Sequence, residues 1–151
     1  MNARNPSALL FFSVVALSLS SPQVAYSQSA PCSLLTEKQV STVLGVSVGA
    51  GSPIADTGCS WKSTGATQVM VTVSMQTEKM FAGAKSSAAP GMTRASISGI
   101  GDEAIFIGAP KFASLWVRNG TKFPLIRIYG LPVNEAQTKL KALAADVVSK
   151  L

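Results

Sequence analysis

Asp102 and Glu103 are the only adjacent carboxylates in the chain, and a carboxylate pair can divide general-acid and general-base work between its members. Hydrolysis of a glycan or an ester would be the chemistry. Neighbours on a strand point to opposite faces, so this pair shares a substrate only if a turn reorients it. Asp56 and Glu78 are the distant carboxylates that folding could bring alongside. Other reactive sets lack their parts. The chain has no histidine, which removes the commonest general base and the commonest metal ligand. The serines have no G-x-S-x-G elbow and no Ser-x-x-Lys pair, so a serine nucleophile would lack its base. Scattered carboxylates and two cysteines supply no metal set, and no cofactor is expected.

Gly99-Ile100-Gly101-Asp102-Glu103-Ala104 matches a G-x-G-x-x-A dinucleotide pattern. That pattern works only between a strand and a helix whose N-terminus faces a pyrophosphate. Here the following Ile105-Phe106-Ile107 reads as strand, and two acids would sit at the phosphates. A glycine-rich turn feeding a strand, with Asp102 bonding local amides, is the better reading.

A binding constellation is better supplied. Lys111, Arg118, Lys122 and Arg127 interleave with Phe112, Trp116 and Phe123, a mixture that stacks rings and contacts anions. Phe112, Trp116, Arg118, Phe123 and Arg127 are therefore the candidate binding residues. The competing reading makes the aromatics core and the charges solvated edge residues. Specific nucleic-acid binding is not expected.

These side chains need elements to position them. Thr36-Glu37-Lys38-Gln39 is a capping box, with Leu35 and Val40 as its hydrophobic staple and Gly45 as the left-handed stop, so a helix spans 36–45. Gly45 to Gly58 reads as an irregular connection with a short extended piece at Val46 to Val48. Cys59 to Lys62 predicts a short strand. Thr67 to Gln76 alternates Val69, Val71, Val73 and Met75 against polar neighbours, a half-buried strand. Thr77 caps a second helix running to about Ala88, with Met80, Phe81 and Ala84 inward. Strands follow at Ile97 to Ile100, Ala104 to Ile107 and Phe112 to Arg118. Asn119-Gly120 is the strongest hairpin signal, and it leads into Lys122 to Tyr129, which Pro124 marks as an edge strand. A long helix opened by Asn134 and Gln137 aligns Ala136, Leu140, Leu143, Ala144, Val147 and Leu151 at helical spacing. Lys139, Lys141 and Lys150 form its solvated face.

The fold class expected is α+β: an antiparallel sheet with helices packed on one face, a two-layer sandwich. A two-residue Asn119-Gly120 loop pairs Trp116 with Phe123, Ser114 with Leu125 and Phe112 with Arg127. Leu115, Val117, Ile126 and Ile128 then belong under the helices, and the aromatic and basic residues face outward. A slip of one residue would invert that assignment.

Residues 1–27 have the layout of a secretory signal peptide: Arg4, an apolar run from Ala8 to Leu19, and small residues at Ala25 and Ser27. The apolar run is shorter than the roughly 20 residues a membrane span needs, so no transmembrane anchor remains after processing. Cleavage leaves 28–151 as a single domain. The whole chain carries +6, and losing Arg4 leaves a basic domain attracted to anionic surfaces in a salt-sensitive way. Cys32 and Cys59, in a chain bound for an oxidising compartment, are expected to form one structural disulfide.

Pro31-Cys32-Ser33-Leu34-Leu35-Thr36, Gly58-Cys59-Ser60-Trp61 and Ile97-Ser98-Gly99-Ile100-Gly101-Asp102-Glu103-Ala104 together resemble small exported bacterial domains of unknown function. Actinobacterial envelope lipoproteins are the best-populated members. The resemblance covers nearly the whole mature chain, and implies a Cys32 to Cys59 bridge and a helix-and-antiparallel-sheet fold. It implies no activity. Proline directly before Cys32 departs from a lipidation signal, so lipoprotein anchoring is not expected. The function expected is that of a periplasmic or secreted, non-catalytic domain that binds a small ligand, an envelope component or a protein partner. An envelope hydrolase using Asp102 and Glu103 is the alternative, and a structural or stress protein without a ligand is a third class.

Overall fold

The computed structural model describes residues 30–86 and 89–151. The signal peptide read at 1–27 lies outside the described residues. A single 3-10 turn, Ala30–Ser33, leads into helix α1, Glu37–Leu44. The capping box is formed: the Thr36 side chain accepts from the Gln39 amide, and the Gln39 side chain accepts from the Thr36 amide at 3.0 Å. Gly45 closes the helix at φ +73°, a left-handed conformation that costs glycine nothing.

Seven strands follow in one antiparallel sheet: β1 Ser52–Ile54, β2 Gly58–Lys62, β3 Met70–Met75, β4 Thr93–Ile97, β5 Glu103–Ala109, β6 Phe112–Arg118 and β7 Pro124–Tyr129. Helix α2, Glu78–Ser86, lies between β3 and β4, and α3, Val133–Val148, ends the fold. The fold is thus the α+β class expected, with one correction: α1 and α3 pack on one face of the sheet and α2 on the other, so the helices are not confined to a single face and the sheet is covered from both sides. The spatial order is β1-β2-β3-β7-β6-β5-β4, two meanders joined so that the last strand of the second returns to pair with the last strand of the first. β7 is central. Pro124 does not mark an edge because it is the first residue of its strand, opposite Met75, where a missing N–H is tolerated. β1 was not expected as a strand; it is three residues long and exposed throughout.

One face of the sheet carries the core. Cross-strand partners run Cys59, Val73, Ile126, Leu115, Phe106 along one row and Trp61, Val71, Ile128, Ala113 along the next. All are buried, together with Ala136, Leu140, Leu143, Ala144 and Val147 of α3 and Val40 and Leu44 of α1. The periodicity of α3 is as expected except at its ends. Pro132, not Asn134, occupies the N-cap without a side-chain bond, and Leu151 is exposed beyond the last turn. Two of the lysines read as its solvated face, Lys139 on α3 and Lys150 just beyond its end, also make hydrogen bonds. Lys139 Nζ donates to the Val43 and Leu44 carbonyls, each at 3.0 Å, and Lys150 Nζ donates to the Leu34 carbonyl at 2.8 Å. Both satisfy carbonyls around α1, and Lys139 does so at the helix end where a cation is favoured.

Cys32 and Cys59 are bonded, with Cα atoms 5.0 Å apart, tying the segment before α1 to β2. No helix among the described residues is long and apolar enough to cross a membrane.

Candidate functional site

The hairpin between β6 and β7 differs from the expected one by two residues. Asn119 and Lys122 pair with each other, N to O at 2.9 and 3.0 Å in the two directions, so the loop is Gly120-Thr121. Gly120 has φ +58°, whereas Thr121 is not left-handed. An Asn-Gly loop of type I′ would need two left-handed residues, while a loop with glycine first needs only one. Trp116 therefore pairs with Leu125, Ser114 with Arg127 and Phe112 with Tyr129. A shift of two leaves every side chain on its expected face.

The face away from α1 and α3 is crossed by α2. The chain must travel from β3, in the middle of the sheet, to β4 at its far edge, four strand spacings or about 19 Å. α2 makes that passage across the sheet. Thr77 Oγ1 accepts from the Met80 amide at 3.3 Å to start it. Phe81 and Ala84 are buried against Ile105, Ile107, Trp116 and Phe123, with the Phe81 and Phe123 ring centroids 5.7 Å apart. Arg94 on β4 donates to the Ala84 and Lys85 carbonyls, clamping the C-terminal end of α2 with a cation. Met80, expected inward, is 51% exposed.

The helix divides the candidate binding residues into two groups. On one side, a cavity of about 310 Å³ opens between α2 and the sheet. α2 supplies Met80, Gly83 and Ala84 to its wall, and Met92 stands at the approach to β4. The sheet supplies Ile107, Phe112, Ser114, Trp116 and Arg127. On the other side, Arg118 and Phe123 line a separate depression with Glu78, Phe81, Lys85 and Glu103. Trp116 is half-buried and packs against the small cluster under α2, so it is wall and core at once.

Arg127 gives the cavity its electrostatics. Its guanidinium carbon sits 4.7 Å from the Phe112 ring centroid and 6.0 Å from that of Tyr129, and Nη1 donates to the Tyr129 hydroxyl at 3.2 Å. Its neighbours across the strands are Thr72 on β3 and Ser114 on β6, neither charged. Ser114 is 1% exposed and its hydroxyl is used on the Ile107 carbonyl at 3.3 Å. Arg127 Nε is buried with no acceptor, the only such side-chain atom among the described residues.

The carboxylates considered for catalysis are otherwise engaged. Asp102 Oδ2 accepts from the Gly120 amide at 2.7 Å, a bond to the distant hairpin loop rather than to local amides. Glu103 pairs with Lys85 at 2.7 Å and with Arg118 at 3.8 Å. Glu78 lines the same depression as Glu103, and Asp56 sits in the turn between β1 and β2. Gly101, at φ +58°, lies so close to the Arg118 carbonyl that a side chain there would collide with it. The glycine pair is therefore a backbone crossing rather than a phosphate cradle. Among the described residues no group of three or more His, Cys, Asp or Glu side chains is arranged to hold a metal.

Met92 and Gly83, which line the cavity, and Arg94, which holds the end of α2, are not singled out by residue type or spacing in the sequence. Arg94 is legible only as the one charged residue of its strand, and its role depends on α2 ending beside it. Compared with protein-family models, curated proteins and solved structures, the chain matches none of them.

Proposed function

We propose that this chain is an exported binding domain that acts without catalysis, and that its site is the cavity between α2 and the sheet. The observation that carries this reading is an apolar, aromatic-walled cavity holding one arginine with which no carboxylate pairs among the described residues. Small-molecule sites have this make-up, mostly apolar walls with a few polar groups that fix orientation, and volumes from about 300 Å³ upward. The cavity stands at the small end of that range, which favours a small ligand over an extended polymer. Export is supported by the apolar leader in residues 1–27 and by the disulfide, which is typical of oxidising compartments. The resemblance to exported bacterial envelope domains agrees with it. Binding is favoured over hydrolysis because Asp102 holds a hairpin loop and Glu103 is paired with two cations.

The test is thermal unfolding of residues 28–151 against envelope glycans, lipids, nucleotides and metabolites at low and moderate salt. A ligand that binds only the folded state raises the midpoint by mass action. A rise that survives moderate salt, and is lost in a cavity variant, is the expected outcome. No rise with any compound, together with crosslinks to an envelope protein, would replace this reading with a protein-partner role.

A further inference from the structure

We infer that the cavity takes a small amphiphile carrying a single carboxylate, with Arg127 as the residue that recognises the head group; the inference rests on the binding role proposed above. The charge count comes first. Among the described residues Arg127 is the only charged one lining the cavity, and one guanidinium matches one negative charge. A dianionic phosphate ester would leave a charge uncompensated in an apolar setting, which is costly.

Geometry agrees with charge. Arginine is planar, and its ring-stacking face and its hydrogen-bonding edge are used independently. Here the Phe112 ring takes the face, 4.7 Å from the guanidinium carbon. The edge is under-used: of five N–H donors, Nη1 reaches the Tyr129 hydroxyl and Nε reaches nothing. A carboxylate offers two acceptors at the spacing of the guanidinium fork and forms the strongest class of neutral-pH hydrogen bond open to it. Nε itself has no open surface, so a head group meets the remaining N–H donors of Arg127, which lines the cavity. Among the described residues no carboxylate pairs with Arg127, and its cross-strand neighbours Thr72 and Ser114 are uncharged.

The tail is read from the remaining walls. Met80, Met92, Ile107 and Trp116 are apolar, and the two methionines are more than two-fifths exposed at their positions. Thioether side chains adapt to varied apolar shapes, which suits an aliphatic or aromatic tail of variable form.

Calorimetric titration of residues 28–151 with monomeric decanoate and with decanamide separates the head from the tail. Decanoate is expected to bind about tenfold or more tightly than decanamide, the scale of a charge-assisted bond. In Arg127→Met the gap should close while decanamide affinity stays within about twofold. If that variant does not fold, ionic strength decides on the wild-type protein: decanoate affinity should fall with salt and decanamide affinity should not. Equal binding of the two compounds, or a gap that persists in Arg127→Met, would leave the cavity as a binding site and overturn the carboxylate. Binding of neither compound would overturn the cavity reading itself. Binding of phosphatidylglycerol vesicles with no binding of monomeric decanoate would overturn it in favour of a membrane surface.

Discussion

The Asp102 carboxylate accepts a hydrogen bond from the Gly120 amide at 2.7 Å, joining the glycine turn before β5 to the loop that closes β6 and β7. A second bond runs the other way, from the Asp102 amide to the Arg118 carbonyl at 2.8 Å. The two bonds fix the start of β5 against the end of β6, and β6 supplies Phe112, Ser114 and Trp116 to the cavity wall. Asp102 thus ties the two turns together through one carboxylate oxygen and its own amide, with the Arg118 guanidinium 4.0 Å from the same oxygen.

Asp102→Ala should lower stability by about 1–2 kcal/mol, less than the roughly 1.5–3 kcal/mol of a hydrogen bond to a charged group because the site is exposed. Asp102→Asn, which keeps an acceptor oxygen, should lose less. Urea unfolding measures both. A hydrolytic activity abolished in Asp102→Asn with the unfolding midpoint unchanged would restore a catalytic role.

The two tryptophans should respond differently to truncation. Trp61 is 1% exposed in the main core, and Trp61→Ala should cost about 3–5 kcal/mol. Trp116 is half-buried over the smaller cluster, so Trp116→Ala should cost about 2 kcal/mol, by scaling that range to partial burial, and should still give a folded domain. Acrylamide should quench Trp116 in Trp61→Phe more strongly than it quenches Trp61 in Trp116→Phe. Equal protection of the two would place Trp116 wholly in the core and remove it from the cavity wall.

What could be read from the residues was what depends on near neighbours. The capping box and Gly45 define α1 because each partner lies within a turn of the other. The faces of β6 and β7 came through a wrong loop because the error was two residues, and the pleat repeats every two. Non-local facts were hidden. Pro124 looked like an edge marker because nothing near it shows that β7 reaches back to β3. Ser52-Pro53-Ile54 has no apolar alternation, and it is a strand only because β2 offers it a partner. The site itself was half legible: Phe112, Trp116 and Arg127 meet at one cavity, while Arg118 and Phe123 fall on the other side of α2. The order of strands decides where α2 runs, and no local pattern encodes that order.

Breaking the disulfide should be felt across the whole domain. Cys32 and Cys59 are 27 residues apart, and closing a loop of that size stabilises by about 3–4 kcal/mol on chain entropy. Both sulfurs lie within the main core. Cys32→Ala with Cys59→Ala should therefore lower the unfolding free energy by at least that amount, and reduction of the wild type with dithiothreitol should match it. A difference below about 1 kcal/mol would mean that docking of the Ala30–Ser33 turn and burial of Leu34 and Leu35 hold the segment without the bond.

Gly108 lets the first turn of α3 sit down on β5. A β-carbon there would overlap Val133 Cγ1 and approach the Phe106 ring at 3.2 Å, and the residue's φ is not left-handed, so the demand is for space alone. Gly108→Ala should cost about 1–3 kcal/mol through overpacking. Val133→Ala removes the atom in the way, so the double variant should be more stable than the sum of the single losses by about 1 kcal/mol or more. Additive losses would mean that the Phe106 ring, not Val133, is the obstacle. Because this contact belongs to the face away from the cavity, neither substitution should change ligand affinity by more than about twofold in the folded protein, as expected for a site that shares no partners with it. A larger change would mean that the height of α3 above β5 is transmitted through the sheet to Ile107 and Ser114.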